Sequence, residues 1–217
     1  MFELDVHQGQ LVDGPNLKSL ILKGSNSLFH LLAYLKASNL LSLCLRSFLE
    51  QNQADDTGHW IDIFLERSKP PLSFLEIRDV SLEISVYDRM LPLLPFLGVL
   101  RLHDSDIHDS TLLKLGGPEG LCPMLQFLDL RWCGRLSGEA LVNLVHNRLQ
   151  EHTENDGPFR TVTPLKEVRV INCSFVRENH ILELSKLTVC QLIHGGSDDF
   201  CCKCSRHLPC HDNETEK

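Results

Sequence analysis

The chain has 217 residues, 42% of them hydrophobic, which is enough for one continuous core, and its formal net charge is -8 with a pI near 5.7. That balance gives the molecule no electrostatic reason to seek nucleic acid or an anionic membrane, and neither is expected as a partner. No run of about 18 apolar residues occurs, and the opening MFELDVHQGQ lacks the basic and apolar stretches of a signal peptide, so the chain reads as an intracellular protein of the cytoplasm or nucleus.

After a lead-in over 1–16, LKSLILKGS (17–25) alternates as a strand does, and SLFHLLAYLKAS (27–38) has helical spacing. LLSLCLRSF (40–48) repeats the strand pattern. It is followed by the polar, turn-rich QNQADDTGH (51–59) and the helical WIDIFLERS (60–68). Strand-like segments recur at LSFLEIRDV (72–80), LGVLRLHDS (97–105) and LQFLDLRWC (125–133). In SGEALVNLVHNRL (137–149), Ala140, Leu141, Leu144, Val145 and Leu149 form one stripe behind the N-cap candidate Ser137. A second polar loop, HTENDGPFRTVTP (152–164), precedes the strand LKEVRVINC (165–173) and the helix RENHILELSKL (177–187).

The strands share one frame. LQFLDLRWC and LKEVRVINC both fit L-x-x-L-x-L-x-x-C, and the other four fit its apolar places. Their starts at Leu17, Leu40, Leu72, Leu97, Leu125 and Leu165 lie 23, 32, 25, 28 and 40 residues apart, around and above the usual leucine-rich-repeat period of about 20–29 residues. The two polar loops account for the long intervals. A strand followed by a helix, repeated in one direction, predicts an α/β leucine-rich-repeat solenoid over 17–195, with a curved parallel sheet on the concave side and helices on the convex side. Residues at places one, four and six point into the core. Cys133 and Cys173, at place nine, pack where strand turns into helix. With nine cysteines, an odd count, and Cys44, Cys122, Cys133, Cys173 and Cys190 beside apolar segments, reduced thiols are expected.

Cysteine at the ninth place, with Leu136 and Val176 following, resembles the cysteine-containing class of leucine-rich repeat found in F-box proteins. LDLRWCGRLSGEALVNLV and LKEVRVINCSFVRENHILEL are similar to the repeat tails of fungal F-box families, and LTVCQLI (187–193) is similar to their closing strand. The resemblance covers residues 15–195 and implies a substrate-binding repeat region of a ubiquitin ligase component. In that family an F-box docks a Skp-type adaptor. Here the first repeat begins by Leu17, with no Leu-Pro-led helical segment before it, so such an adaptor is expected only if an F-box lies upstream. A repeat-only scaffold or inhibitor, without a ubiquitin role, is the other reading.

Places three, five and seven face out from the sheet. The fifth-place column is Ile21, Cys44, Glu76, Arg101, Asp129 and Arg169, whose last four alternate in sign and satisfy one another. The seventh-place column, Lys23, Arg46, Arg78, His103, Arg131 and Ile171, is largely basic. Nearby Asp79, Asp104 and Asp129 compensate it in one reading. In the other, an acidic or phosphorylated segment of a protein partner engages Arg46, Arg78 and Arg131. Exchanging those three for Glu is then expected to abolish capture without unfolding the chain. Phe74 and Phe127, in the third-place column, would anchor a partner if exposed. The candidate partner-binding set is therefore Arg46, Phe74, Arg78, Arg101, His103, Phe127, Arg131 and Arg169.

Residues 196–217 form a Cys/His-rich tail. Cys201, Cys204, His207 and Cys210 are spaced as zinc ligands can be, but no distant second pair would clamp a folded element, so no metal or other cofactor is assigned. The sequence carries no GxSxG, P-loop, GxGxxG or HExxH motif, and the chain reads as a binding module rather than an enzyme.

Overall fold

The computed structural model describes residues 11–48, 56–116, 120–150 and 162–193. Each nine-residue segment supplies a strand: β2 (Ser19–Gly24), β4 (Ser42–Ser47), β5 (Phe74–Arg78), β6 (Val99–His103), β7 (Phe127–Arg131) and β8 (Glu167–Ile171). Two short strands, β1 (Val12–Asp13) and β3 (Leu35–Lys36), pair with each other, and β9 (Val189–Ile193) comes last. Between them run a 3-10 helix (Asn26–Tyr34), a 3-10 turn (Leu91–Leu93) and the helices α1 (Thr57–Ser68), α2 (Ile84–Met90), α3 (Asp109–Gly116), α4 (Gly138–Leu149) and α5 (Glu178–Leu187).

The fold is α/β. Seven strands form one parallel sheet in the order β2-β4-β5-β6-β7-β8-β9, so each strand pairs with the next one of the series. Their register is the sequence frame. Ser19, Ser42, Phe74, Val99, Phe127, Glu167 and Val189, all at place three, lie side by side. The segment 187–193 thus adds a seventh strand in the same frame.

Alternation sends places four and six to one face, where Leu43, Leu45, Leu75, Ile77, Leu100, Leu102, Leu128, Leu130, Val168 and Val170 are buried in one cluster. Helix residues close that cluster: Phe29, Phe64, Tyr87, Leu112, Leu144 and Leu184. Each helix packs on the next in sequence, from the 3-10 helix through α5, so the helices form one row over this face.

Local details follow from local chemistry. Ser137 caps α4, its Oγ accepting from Ala140 N at 3.1 Å. The thiols of Cys133 and Cys173 donate to carbonyls of the preceding strand, Leu102 O and Leu130 O, each at 3.6 Å. The neighbouring Cys173 thiol, and burial, push the Cys133 thiol well above its ordinary value, which fits a packing role.

Three expectations need correction. The segment 27–38 is a 3-10 helix that ends at Tyr34 and gives way to β3, not one longer α-helix. It lies in the shortest repeat, and nine residues at about 2.0 Å rise span the same ~18 Å that the twelve residues of α1 span at 1.5 Å. Of the loop expected over 51–59, residues 51–55 lie outside the described residues, and α1 starts already at Thr57. Leu149 is exposed, and Arg148 is the buried residue in that turn. Its guanidinium donates to Leu115 O at 2.7 Å and Leu125 O at 3.0 Å, with Thr163 O, Cys122 O and Pro123 O also in reach. Among the described residues, no helix is long and apolar enough to cross a membrane.

Candidate functional site

Places three, five and seven make the sheet face opposite the helices, and ion pairs run across it. Arg46 Nε on β4 donates to Glu76 Oε1 on β5 at 2.8 Å, and Arg101 Nη1 on β6 lies 3.6 Å from Glu76 Oε2. On β7, Asp129 accepts from Arg131 Nε at 2.9 Å and Nη2 at 2.8 Å. Arg101 Nε and Arg169 Nη1 approach the same carboxylate at 4.0 and 3.8 Å. Arg169 also donates to Glu167 Oε1 at 2.8 Å and to Gln191 Oε1 at 3.0 Å.

The fifth-place column therefore alternates as expected, but its shortest contacts come from the arginines of place seven: Arg46 reaches Glu76 diagonally across strands, and Arg131 reaches Asp129 along its own strand. The two columns are one network, and Asp129 serves both. Burial alone would raise the Asp129 carboxyl, yet the hydrogen-bonded Arg131 guanidinium, helped by Arg169, holds it below the usual carboxylate range.

The structure divides the candidate residues into three groups. Arg46, Arg101, Arg131 and Arg169 belong to the network, and all but Arg169 are buried with it. Phe74 is only 4% exposed, with the Arg101 guanidinium 5.3 Å from its ring centroid, so it is no open anchor. Phe127, 38% exposed, remains one. Arg78 and His103 are the last residues of β5 and β6. The triple Arg→Glu exchange cannot spare the fold as expected, because Glu at 46 or 131 would bury a carboxylate against Glu76 or Asp129.

Arg78 and His103 line a cleft of about 240 Å³ with Asp79, Asp104 and Trp132. The last three are corner residues. Place eight turns into the left-handed region at Asp79, Asp104, Trp132 and Asn172, with φ of 54°, 48°, 51° and 53°. The amides of Asp79, Asp104 and Trp132 donate to the place-seven carbonyls of the next strand, His103 O, Arg131 O and Ile171 O. Arg78 Nε is held by Asp79 Oδ2 at 3.1 Å. Burial pushes the His103 imidazole down to about 3, Arg131 adding to the effect and Asp129 opposing it, so the ring is neutral at physiological pH. Among the described residues its buried Nε2 has no hydrogen-bond partner.

In the sequence Asp79 and Asp104 read as counter-charges, and apolar spacing does not single out Trp132. The place-eight column carried the signal: Asp, Asp and Asn accept left-handed backbone readily, and a tryptophan among them is the exception. The four zinc-spaced tail residues lie outside the described residues. Among the described residues no group of three or more His, Cys, Asp or Glu is arranged to hold a metal ion. Compared with known proteins, the chain matches no family model and resembles no curated protein closely enough to count as a relative.

Proposed function

We propose that the chain is a leucine-rich-repeat solenoid that recognises a protein segment on the sheet face opposite its helices, and that it acts by binding, not catalysis. One observation carries the reading: a seven-stranded parallel sheet in strictly sequential order, with helices packed in a row over one face only among the described elements. Parallel sheets are ordinarily covered on both faces, so a face left to rows of arginine, carboxylate and aromatic side chains is suited to a partner. Exposed Phe127 is its apolar anchor. Of the cations on that face Lys23 and Arg78 reach solvent, and an acidic or phosphorylated segment would meet those two, Arg46 and Arg131 being buried in ion pairs with Glu76 and Asp129.

Membership in an F-box-type ubiquitin ligase, reached through a Skp-type adaptor, is supported by the Cys133 and Cys173 repeat pattern alone, and co-purification of such an adaptor with the full-length protein tests it. The recognition reading is tested by affinity capture from cells with wild type, Phe127→Ser and Leu113→Ser. Leu113 is an exposed residue of α3, on the helical side. Partners retained by wild type and Leu113→Ser are expected to be lost with Phe127→Ser. Loss with Leu113→Ser and retention with Phe127→Ser would overturn the reading.

A further inference from the structure

The seven-stranded sheet has two edges, β2 and β9. Within it each strand and helix is closed over by the next: Leu141, Leu165 and Val168 are 0%, 3% and 0% exposed. The corresponding residues at the β9 end, Ile181, Leu187 and Cys190, are only partly buried, and Leu182 and Val189 beside them are 65% and 60% exposed. The sequence 194–217 holds no further copy of the strand frame, and Phe200 and Leu208 are its only large apolar residues.

The two edges differ in chemistry. Edge strands are ordinarily guarded against pairing by charge or proline. Exposed Lys18 and Lys23 guard β2. The segment LTVCQLI (187–193) carries neither charge nor proline. Val189 donates its amide to Lys166 O on β8 at 3.3 Å, so by strand alternation Cys190 and Leu192 turn their N–H and C=O groups away from β8, where no described residue meets them. In an antiparallel pair, residues that exchange both hydrogen bonds must each point outward. Cys190 opposite Leu192 of a second copy meets that condition in both directions about a two-fold axis at Gln191. The pairing then spans all of β9, Val189 against Ile193, and sets no charge against its like. The same axis, perpendicular to the sheet, brings the two α5 helices together antiparallel. Ten residues of α5 and five of β9 extend about 15 and 16 Å, so one axis passes the middle of both, close to Ile181 and Leu182.

We propose that β9 and α5 form a two-fold interface with a second copy of this chain, the two β9 strands pairing antiparallel about Gln191 so that the sheet continues from one copy into the other. A closed pair covers both uncharged edges at once and leaves the lysine-guarded β2 on the outside. One strand and one helix from each copy make a small contact, so association is expected in the micromolar range. The interface lies at the edge of the sheet and does not depend on what the open face binds.

The test is sedimentation equilibrium of the purified full chain at about 100 μM, a concentration suited to a small interface. The mass is expected to approach twice the chain's 24.7 kDa. Gln191 is exposed, so it can be exchanged without disturbing the core. Gln191→Lys sets two ammonium groups face to face at the axis and should weaken association about fivefold. Ile21→Lys, the same kind of change at exposed place five of β2, should leave it unchanged. Gln191→Glu keeps an acceptor for Arg169 Nε and so spares the fold, and it should weaken association less, because Arg169 offsets part of the charge. An equal mixture of the two Gln191 variants, in which Lys faces Glu, should associate more tightly than either alone. A wild-type chain that stays monomeric would overturn the proposal, as would loss of the dimer with Ile21→Lys or its full retention with Gln191→Lys. A mixture no tighter than the separate variants would overturn the axis at Gln191. Assemblies that keep growing with concentration would mean β2 meeting β9 head to tail and would overturn the closed pair.

Discussion

Arg148 illustrates how one charged side chain can fix a connection that periodicity does not reveal. Burial pulls its guanidinium down to about 10, still charged at neutral pH, because its N–H groups are spread over the carbonyls of the α3 end and of the 122–125 turn. Arg148→Met keeps the apolar stem but leaves those carbonyls unpaired, and it should lower unfolding free energy by roughly 3–5 kcal/mol in a urea titration. His103 makes a prediction in pH. Its folded pKa, pushed down to about 3, lies below the ordinary 6.5, so the unfolded chain binds the proton more readily. The stability this contributes is complete above 6.5 and is lost as pH falls toward the folded value, at up to about 1.4 kcal/mol per pH unit. Between pH 6.5 and 4.5 wild type should lose stability relative to His103→Leu, and parallel curves would refute the assignment. Neither residue stood out in the sequence for its role. A pattern of apolar spacing scores Leu149 and ignores Arg148, and it ignores Trp132 because a left-handed corner depends on φ rather than on hydrophobicity.

At the level of strands and helices, the ion-pair network ties neighbouring strands through side chains as well as backbone. Glu76 lies between Arg46 on β4 and Arg101 on β6, all three buried. Removing it leaves two guanidinium groups short of a carboxylate, so Glu76→Ala should cost about 3–5 kcal/mol, whereas Ser137→Ala, which removes only a helix cap, should cost about 1 kcal/mol. Equilibrium unfolding of the two variants beside wild type checks the ranking. The frame made the columns legible, because side-chain period two assigns faces without coordinates. It did not reveal that the seventh-place Arg46 and Arg131 reach fifth-place carboxylates, one diagonally on the next strand and one along its own strand, since a column lists neighbours across strands and not the reach of a long guanidinium stem. Nor did it reveal that the first connection is 3-10, since apolar spacing over 27–38 satisfies either helix and the length of the return decides between them.

Across the whole molecule, the sequence frame and the hydrogen-bond register coincide on all seven strands, because a one-residue slip would turn every core leucine onto the other face. The proposed recognition lies on the face outside the helical row. It is tested most directly by site-specific photo-cross-linking in cells, with a benzophenone side chain carried either at position 127 on the sheet face or at position 113 on the helical side. A discrete protein cross-linked from position 127 and not from 113 is the predicted result. Cross-linking from position 113 alone would contradict it.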